Sequence, residues 1–339
     1  MKILLVGAES DWAIERFYLK YLRKLVEVDF YNIHGEFLNY YHSSVINKLC
    51  YRSGLSRIEK RLNSELINKC KENHYDAILV FKGMEVRKKT LLELKSKGIY
   101  LLNYNPDHPF IYFGRGSGNK NVLKSINVYN HHYSYSKKII VELKNQFGVN
   151  ATWLPFAYEI RDLPQIENEI KAVCFIGNAD KDRAATIQKI INNKINVEVF
   201  GNGWGDFLKD DPYLKMHKAV YGDEFTRTAQ RYRIQLNLFR PHNEESHNMR
   251  SFEMPSVGCI MLAPESEEHQ FFFEANYEAF YFNKINLIEK VRHILNLEDA
   301  KAYKIRENAF RRCVSSNYHY RDRAKQLFED LSGKVNSYN

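Results

Sequence analysis

Cysteine is scarce and scattered: five residues in 339, at Cys50, Cys70, Cys174, Cys259 and Cys313. The count is odd and no two form a Cys-x-x-Cys pair, which excludes a disulfide framework and a cysteine zinc site and fits a reducing cytosol. Long apolar runs are missing as well. The opening Met1-Lys-Ile-Leu-Leu-Val-Gly7 meets the charges of Glu9 and Asp11 too soon for a signal peptide. No later run approaches the ~18 residues of a membrane span, so a soluble chain is expected, touching a membrane at most from the side. Disorder is excluded by a composition that is 44% hydrophobic and 14% aromatic, in a chain long enough for two domains with a core each.

Acidic residues are short in one half only. Residues 1–160 hold 24 Lys+Arg against 15 Asp+Glu, whereas residues 161–339 hold 26 of each, so the whole net charge of +9 lies in the first half. A basic surface confined to one domain suits an anionic partner such as a phospholipid headgroup, a phosphorylated glycan or nucleic acid; a solvated lysine-rich surface is the alternative. Nucleic acid is disfavoured, because the lysines form no aromatic-interleaved stripe and no reader motif.

Hydrophobic periodicity alternates strand and helix. Strand Lys2–Val6 ends at Gly7 and leads to a helix from about Asp11 to Leu25; Val26–Tyr31 reads as a strand, Ile58–Glu72 as a helix, and Tyr75–Phe81 as a strand buried on both faces. A helix near Arg87–Lys97 and strand Tyr100–Asn103 repeat the unit, before Asn105-Pro-Asp-His-Pro109 breaks the chain. A polar stretch at about 157–170 reads as a linker. Beyond it, strand Lys171–Ile176 ends at Gly177, helix Asp182–Ile191 follows, and strand Asn196–Phe200 stops at Gly201-Asn-Gly203-Trp204-Gly205. Leu287–Leu295, Ala300–Cys313 and Tyr320–Leu331 read as closing helices. The expected fold is therefore α/β, with two doubly wound Rossmann-like domains, residues 1–160 and 161–339, facing across a cleft. Ligands of such sheets bind outside the carboxyl ends of the strands, which directs attention to the loops after Val6, Phe81, Asn103, Ile176 and Phe200.

The densest cluster is Glu244-Glu-Ser-His-Asn-Met-Arg-Ser-Phe-Glu-Met-Pro-Ser-Val-Gly258, between strands expected at Gln235–Phe239 and Cys259–Leu262. On one helix Glu245 and Glu253 would diverge by about 80°, so they converge better with Glu245 on a loop and Glu253 in a short helix starting near Asn248–Ser251. Gly258 supplies the stop. A carboxylate so placed can accept both hydroxyls of a ribose while Arg250 meets phosphate; an ordinary ion pair of Glu253 with Arg250, with Asn248 capping the helix, is the alternative.

Arg250-Ser-Phe-Glu253 through Gly258-Cys-Ile-Met-Leu262, with Asn237 before it, resembles the C-terminal domain of CgeB-like glycosyltransferases of the GT-B fold, and the Glu245 to Glu253 spacing is similar to the paired glutamates of retaining GT-B enzymes. Phe175-Ile-Gly-Asn178 with Arg183, Val199-Phe-Gly-Asn-Gly-Trp204 and the closing Tyr318-His-Tyr-Arg321 extend the resemblance over about residues 171–330; the first half fits only through Phe81-Lys-Gly83 and the Asp107 loop. The resemblance implies a metal-independent transferase that takes a nucleotide sugar, UDP-, GDP- or similar, in its second domain and an anionic or lipid-linked glycan of the cell surface in its first. Glu253 would bind the ribose, Glu245 would lie near the transferred sugar, and Arg183, Arg250 and the amides near Gly177 and Asn178 would hold the diphosphate, with Gly201, Gly203 and Trp204 beside it. Guanidinium groups there stabilise the charge of a departing diphosphate.

Other residues carry two readings each. Asp107 or His108 could act as general base, or the run could be turn chemistry. Lys82 and Arg115, the latter in Gly114-Arg-Gly116-Ser-Gly118, could touch the acceptor, or be a strand-end lysine and part of a flexible loop. Trp204 could border a base pocket or pack. Asp180-Lys-Asp182 is formally a metal-binding pattern, yet its place between strand and helix suits a cap. His131-His132 lacks partners at a ligand spacing, so no metal is expected. An epimerase of the same fold, or a binding protein without turnover, would compete with the transferase.

Overall fold

Runs of apolar residues form strands covered on both faces. The clearest is Ala77-Ile-Leu-Val-Phe81, every residue of which is buried. The structure, a computed structural model of the chain, describes residues 1–10, 13–111, 118–159, 169–240 and 245–338. Two compact units emerge, Met1–Pro155 with Tyr320–Asn339, and Phe156–His319.

The first unit runs β1 (Lys2–Val6), α1 (Ile14–Leu22), β2 (Glu27–Tyr31), α2 (Ile33–Ser43), α3 (Val45–Arg52), α4 (Ile58–Glu72), β3 (Ala77–Phe81), α5 (Lys88–Lys95), β4 (Tyr100–Asn105), α6 (Lys120–Ser125), β5 (His131–Ser134), α7 (Lys137–Phe147) and β6 (Ala151–Trp153). Its strands are all parallel in the order β2-β1-β3-β4-β5-β6. Ile58, Leu62 and Leu66, four apart on α4, bury one helix face against Leu4, Val6, Ile78 and Val80.

The second unit runs β7 (Ile170–Ile176), α8 (Lys181–Ile191), β8 (Val197–Phe200), β9 (Leu214–His217), α9 (Gly222–Arg231), β10 (Tyr232–Leu236), α10 (Arg250–Ser256), β11 (Met261–Pro264), α11 (Glu267–Phe272), β12 (Phe280–Phe282), α12 (Leu287–Leu295) and α13 (Asp299–Ser315). The sheet order β12-β11-β10-β7-β8-β9, again all parallel, reverses between β7 and β10. In the first sheet the reversal lies between β1 and β3. These two switch points are where the fold exposes the loops that can hold a ligand.

The last helix, α14 (Tyr320–Asn336), belongs to the first unit, whereas the sequence reading placed it in the second. Its apolar stripe of Ala324, Leu327 and Leu331 is buried, and Tyr320 stacks on Phe17 of α1 at 4.8 Å. The Tyr318-His-Tyr-Arg321 stretch thus spans the division between units. β10 begins three residues earlier than expected because its polar members are buried with partners. Arg233 donates to Leu297 O (2.8 Å), to Glu169 and to Asp299, and Gln235 donates to Ala229 O (2.7 Å). Among the described residues no helix is long and apolar enough to cross a membrane.

Candidate functional site

The loops after β7 and β8 clasp each other. Gly177 N–H donates to Phe200 O (2.8 Å), Ala179 N–H to Asn202 O (2.9 Å), and Asn202 N–H to the Asn178 side-chain oxygen (3.0 Å). A Cβ at Gly201 would stand 2.1 Å from Gly177 O, so only glycine lets the loops meet, and Gly203 takes φ +80° at the turn. These contacts correct the expectation for Gly177: its amide is already used by the sheet and is not offered to an anion. Trp204 is corrected too. It is 2% exposed, packs edge-on against Phe175 at 5.5 Å and donates to Gly177 O (3.1 Å), supporting the loop from beneath without presenting a face to a ligand.

Asp180 caps α8, its carboxylate accepting from the N–H groups of Asp182 (3.1 Å) and Arg183 (2.9 Å). The cap directs Arg183 across the switch point, where it donates to Asn178 O (3.0 Å) and Leu238 O (3.3 Å) and lies over the Phe175 ring. Burial, with repulsion from Arg240 and Arg250, lowers the Arg183 pKa to about 10 even though Asp180 opposes the shift. Three guanidinium groups therefore gather at one strand-end rim. Arg240, which the sequence reading missed, follows β10; its position just past a switch-point strand was the available signal.

α10 brings in the fourth side. Arg250 and Glu253, one turn apart, form an ion pair, and the Arg250 guanidinium lies 4.2 Å above the Phe225 ring. The helix is anchored by the fully buried Phe252, whose ring meets Phe272 (4.7 Å) and Tyr318 (5.3 Å). Gly258, at φ +73°, ends it. Beneath, Ser251 Oγ accepts from Asn237 Nδ2 (3.1 Å) and Asn248 N–H (3.1 Å). It donates to His269 Nε2 (2.7 Å), because His269 Nδ1 donates to Pro264 O (2.9 Å). Burial drives His269 down to about pKa 4, so it stays neutral and keeps this arrangement.

Glu245 lies on the loop before α10, exposed and in the left-handed region at φ +67°, a strained conformation for a non-glycine residue. The loop is fixed by its next two residues. Ser246 Oγ donates to Glu268 (2.6 Å); His247 Nε2 accepts from Phe156 N–H (3.1 Å), leaving Nδ1–H to donate to the same carboxylate (2.6 Å). Ser266 Oγ donates to Ser246 O (2.7 Å).

The switch point of the first unit also carries polar groups. Lys82, at φ +55°, pairs with Asp107 at 2.7 Å, so an expected acceptor contact meets one of the two expected general bases. His108 turns elsewhere: it is buried, accepts from Phe110 N–H (3.3 Å) and stands 3.6 Å from Glu142. Glu15, overlooked in the sequence, is 6% exposed and accepts from Ala8 N–H (3.3 Å). Burial pushes its carboxyl above the ordinary range, with Lys82 and His34 partly offsetting this. Its signal was an acid among the apolar positions Ile14, Tyr18 and Leu22 of α1. Arg115 lies outside the described residues. His131 and His132 are buried on β5, lowered to about pKa 4 by burial, and bonded to Thr152 Oγ1 and Ile126 O, both at 2.8 Å.

Residues 183–329 match the family model described as glycosyl transferase-like. A search by sequence finds no match among curated proteins. Among solved structures the chain is similar to a glycosyltransferase from Rickettsia africae (TM-score 0.66, 12% identity, 98% of each chain covered). It is similar to Anabaena HepE in complex with UDP-glucose (TM-score 0.67, 13% identity, 98% of this chain and 100% of that one). It is also similar to a point variant of Staphylococcus aureus TarM in complex with fondaparinux, alpha-GlcNAc-glycerol and UDP (TM-score 0.60, 10% identity, 79% of this chain), and spans 58% of that protein's length.

Proposed function

We propose that the chain, which has the GT-B fold, is a glycosyltransferase that moves a sugar from a UDP- or GDP-type nucleotide donor to an anionic or lipid-linked surface glycan, within the CgeB-like branch of these enzymes. The observation that carries this reading is the gathering of Arg183, Arg240 and Arg250 at the second sheet's switch point, where burial first, and then repulsion from the other two, lower the Arg183 pKa. Like charges are collected where a polyanion is to be bound.

The diphosphate lies against these guanidinium groups, and Glu253, held by Arg250, accepts the ribose hydroxyls. Glu245, projected from its braced loop, faces the transferred sugar. As the bond from the anomeric carbon to the diphosphate oxygen breaks, charge accumulates on the leaving group and the arginines stabilise it without a metal. The acceptor oxygen forms the new bond and gives up its proton, for which Asp107, beside Lys82, is the base in the first unit. The paired glutamates favour retention of anomeric configuration. The basic first half brings the enzyme to an anionic acceptor at the inner face of a membrane.

The test is turnover across a panel of nucleotide sugars. Slow acceptor-independent release of nucleoside diphosphate from one donor, accelerated by a glycan acceptor, is expected. An epimeric nucleotide sugar as product, or binding without release, would contradict transfer.

A further inference from the structure

Most large apolar side chains on the surface stand alone, but one segment of the first unit collects four. Val45 and Ile46 are 70% exposed, Leu49 59% and Leu55 77%, and no residue of α3 is buried. At 100° per residue, Val45, Leu49 and Ile46 fall within one 100° arc of α3, with Lys48 and Arg52 along its border. The helix is nonetheless well built. Ser44 caps it, accepting from Asn47 N–H (3.0 Å), and Asn47 Nδ2 donates to Tyr40 O (3.1 Å) on α2. Tyr51, on the side away from the apolar arc, packs edge-on against Phe37 of α2 at 4.9 Å. The anchored face is therefore the one carrying Asn47 and Tyr51, and Val45, Ile46 and Leu49 turn outward.

Charge selects the partner. Between Glu36 and Glu59 the sequence has no acidic residue, while Lys48, Arg52 and Arg57 supply three cations. An apolar arc bordered by cations, with Glu59 meeting α3 at Tyr51 (3.4 Å) on the opposite, anchored face, matches the interface of an anionic bilayer, where the apolar side chains enter the headgroup boundary and the cations meet phosphate. A protein partner fits less well: three side chains on about 12 Å of helix, with Leu55 just beyond it, fall short of the ~800 Å² per partner that a standard interface buries.

We propose that α3 and the loop to Arg57 form the element by which the first unit docks on anionic membranes. This deepens, and rests on, the reading of the basic first half as a membrane-facing surface.

The test is co-sedimentation of the full chain, without donor, with phosphatidylcholine vesicles containing phosphatidylglycerol and with phosphatidylcholine vesicles alone. Binding to the anionic vesicles only is expected, with at least about a tenfold loss in an Ile46→Glu/Leu49→Glu variant and a further loss with Lys48→Ala/Arg52→Ala. Circular dichroism and Tm verify that these exposed substitutions leave the fold intact. If wild type and the glutamate variant bind anionic vesicles equally, α3 is overturned as the docking element while the reading of the basic half stands. If wild type binds neither vesicle, both fall. If the substitutions instead dissociate an oligomer, the arc is covered by a second copy and the proposal is overturned.

Discussion

Arg183 donates to the Leu238 carbonyl at 3.3 Å, so a side chain from the helix after β7 closes onto the loop after β10. The contact spans the place where the sheet order reverses, and it holds the guanidinium over the Phe175 ring, 5.4 Å from its centre, with its charge beside Arg240 and Arg250. A lysine has no fork to reach both Asn178 and Leu238 carbonyls at once.

Arg183→Ala is expected to weaken nucleoside diphosphate binding by about ten- to a hundredfold, the loss of a charged hydrogen bond worth roughly 1.5–3 kcal/mol, and Arg183→Lys should not restore it. Isothermal titration checks this; a change below about threefold in the alanine variant would contradict the role.

Gly201→Ala would drive a methyl group into the Gly177 carbonyl, 2.1 Å from its ideal position. Destabilisation of about 1–3 kcal/mol is expected from such overpacking, with diphosphate binding weakened because the loops can no longer clasp. Chemical denaturation measures the first effect, and an unchanged midpoint would show that the loops separate freely.

Stability should fall with acid before the carboxylates titrate. His131, His132 and His269 sit near pKa 4 in the folded chain against an ordinary 6.5. The unfolded chain therefore binds more protons below pH 6.5, and stability present above that value is lost as pH falls toward 4. Tm followed from pH 7.5 to 4.5 should show the decline, and His131→Gln should lessen it by about a third, His132 and His269 keeping the rest. A flat profile over that window would contradict the burial of neutral imidazoles.

Glu15 has the opposite sign. Its raised pKa means that its favourable contribution is present at low pH and is lost as pH rises through the folded value. Glu15→Gln is expected to raise Tm more at pH 8 than at pH 5. A fall in Tm at pH 8 would show that the ionised carboxylate is needed by Lys82 or His34.

Much of this was legible in the sequence, for identifiable reasons. β3 and α4 were readable because burial on both faces leaves an unbroken apolar run, and burial on one leaves a stripe at Ile58, Leu62 and Leu66. Glu245 on a loop and Glu253 on a short helix followed from geometry, with Gly258 as the stop. β10 was displaced by three residues because Arg233 and Gln235 look solvent-facing until their tertiary partners are known. α2 and α3 passed unnoticed: α3 buries nothing, so no core-facing stripe announces it. The gathering of Arg240 with Arg183 is a long-range product of sheet order, and the roles of Ser251 and His269 depend on a contact between α10 and α11 that no local pattern encodes. α14 returned to the first unit for a similar reason, through its aromatic contact with α1.

The central claim is that Glu253, with the arginines around it, grips the nucleoside part of a donor. Thermal denaturation of wild type and Glu253→Ala, each with and without saturating UDP or GDP, tests it most directly. A nucleotide at about 100 times its Kd adds about 2.7 kcal/mol to the folded state, so a Tm rise of several degrees is predicted for wild type with one of the two, and none for the variant. An equal rise in both proteins would contradict the assignment of Glu253, and no rise in wild type with either nucleotide would contradict the donor site itself.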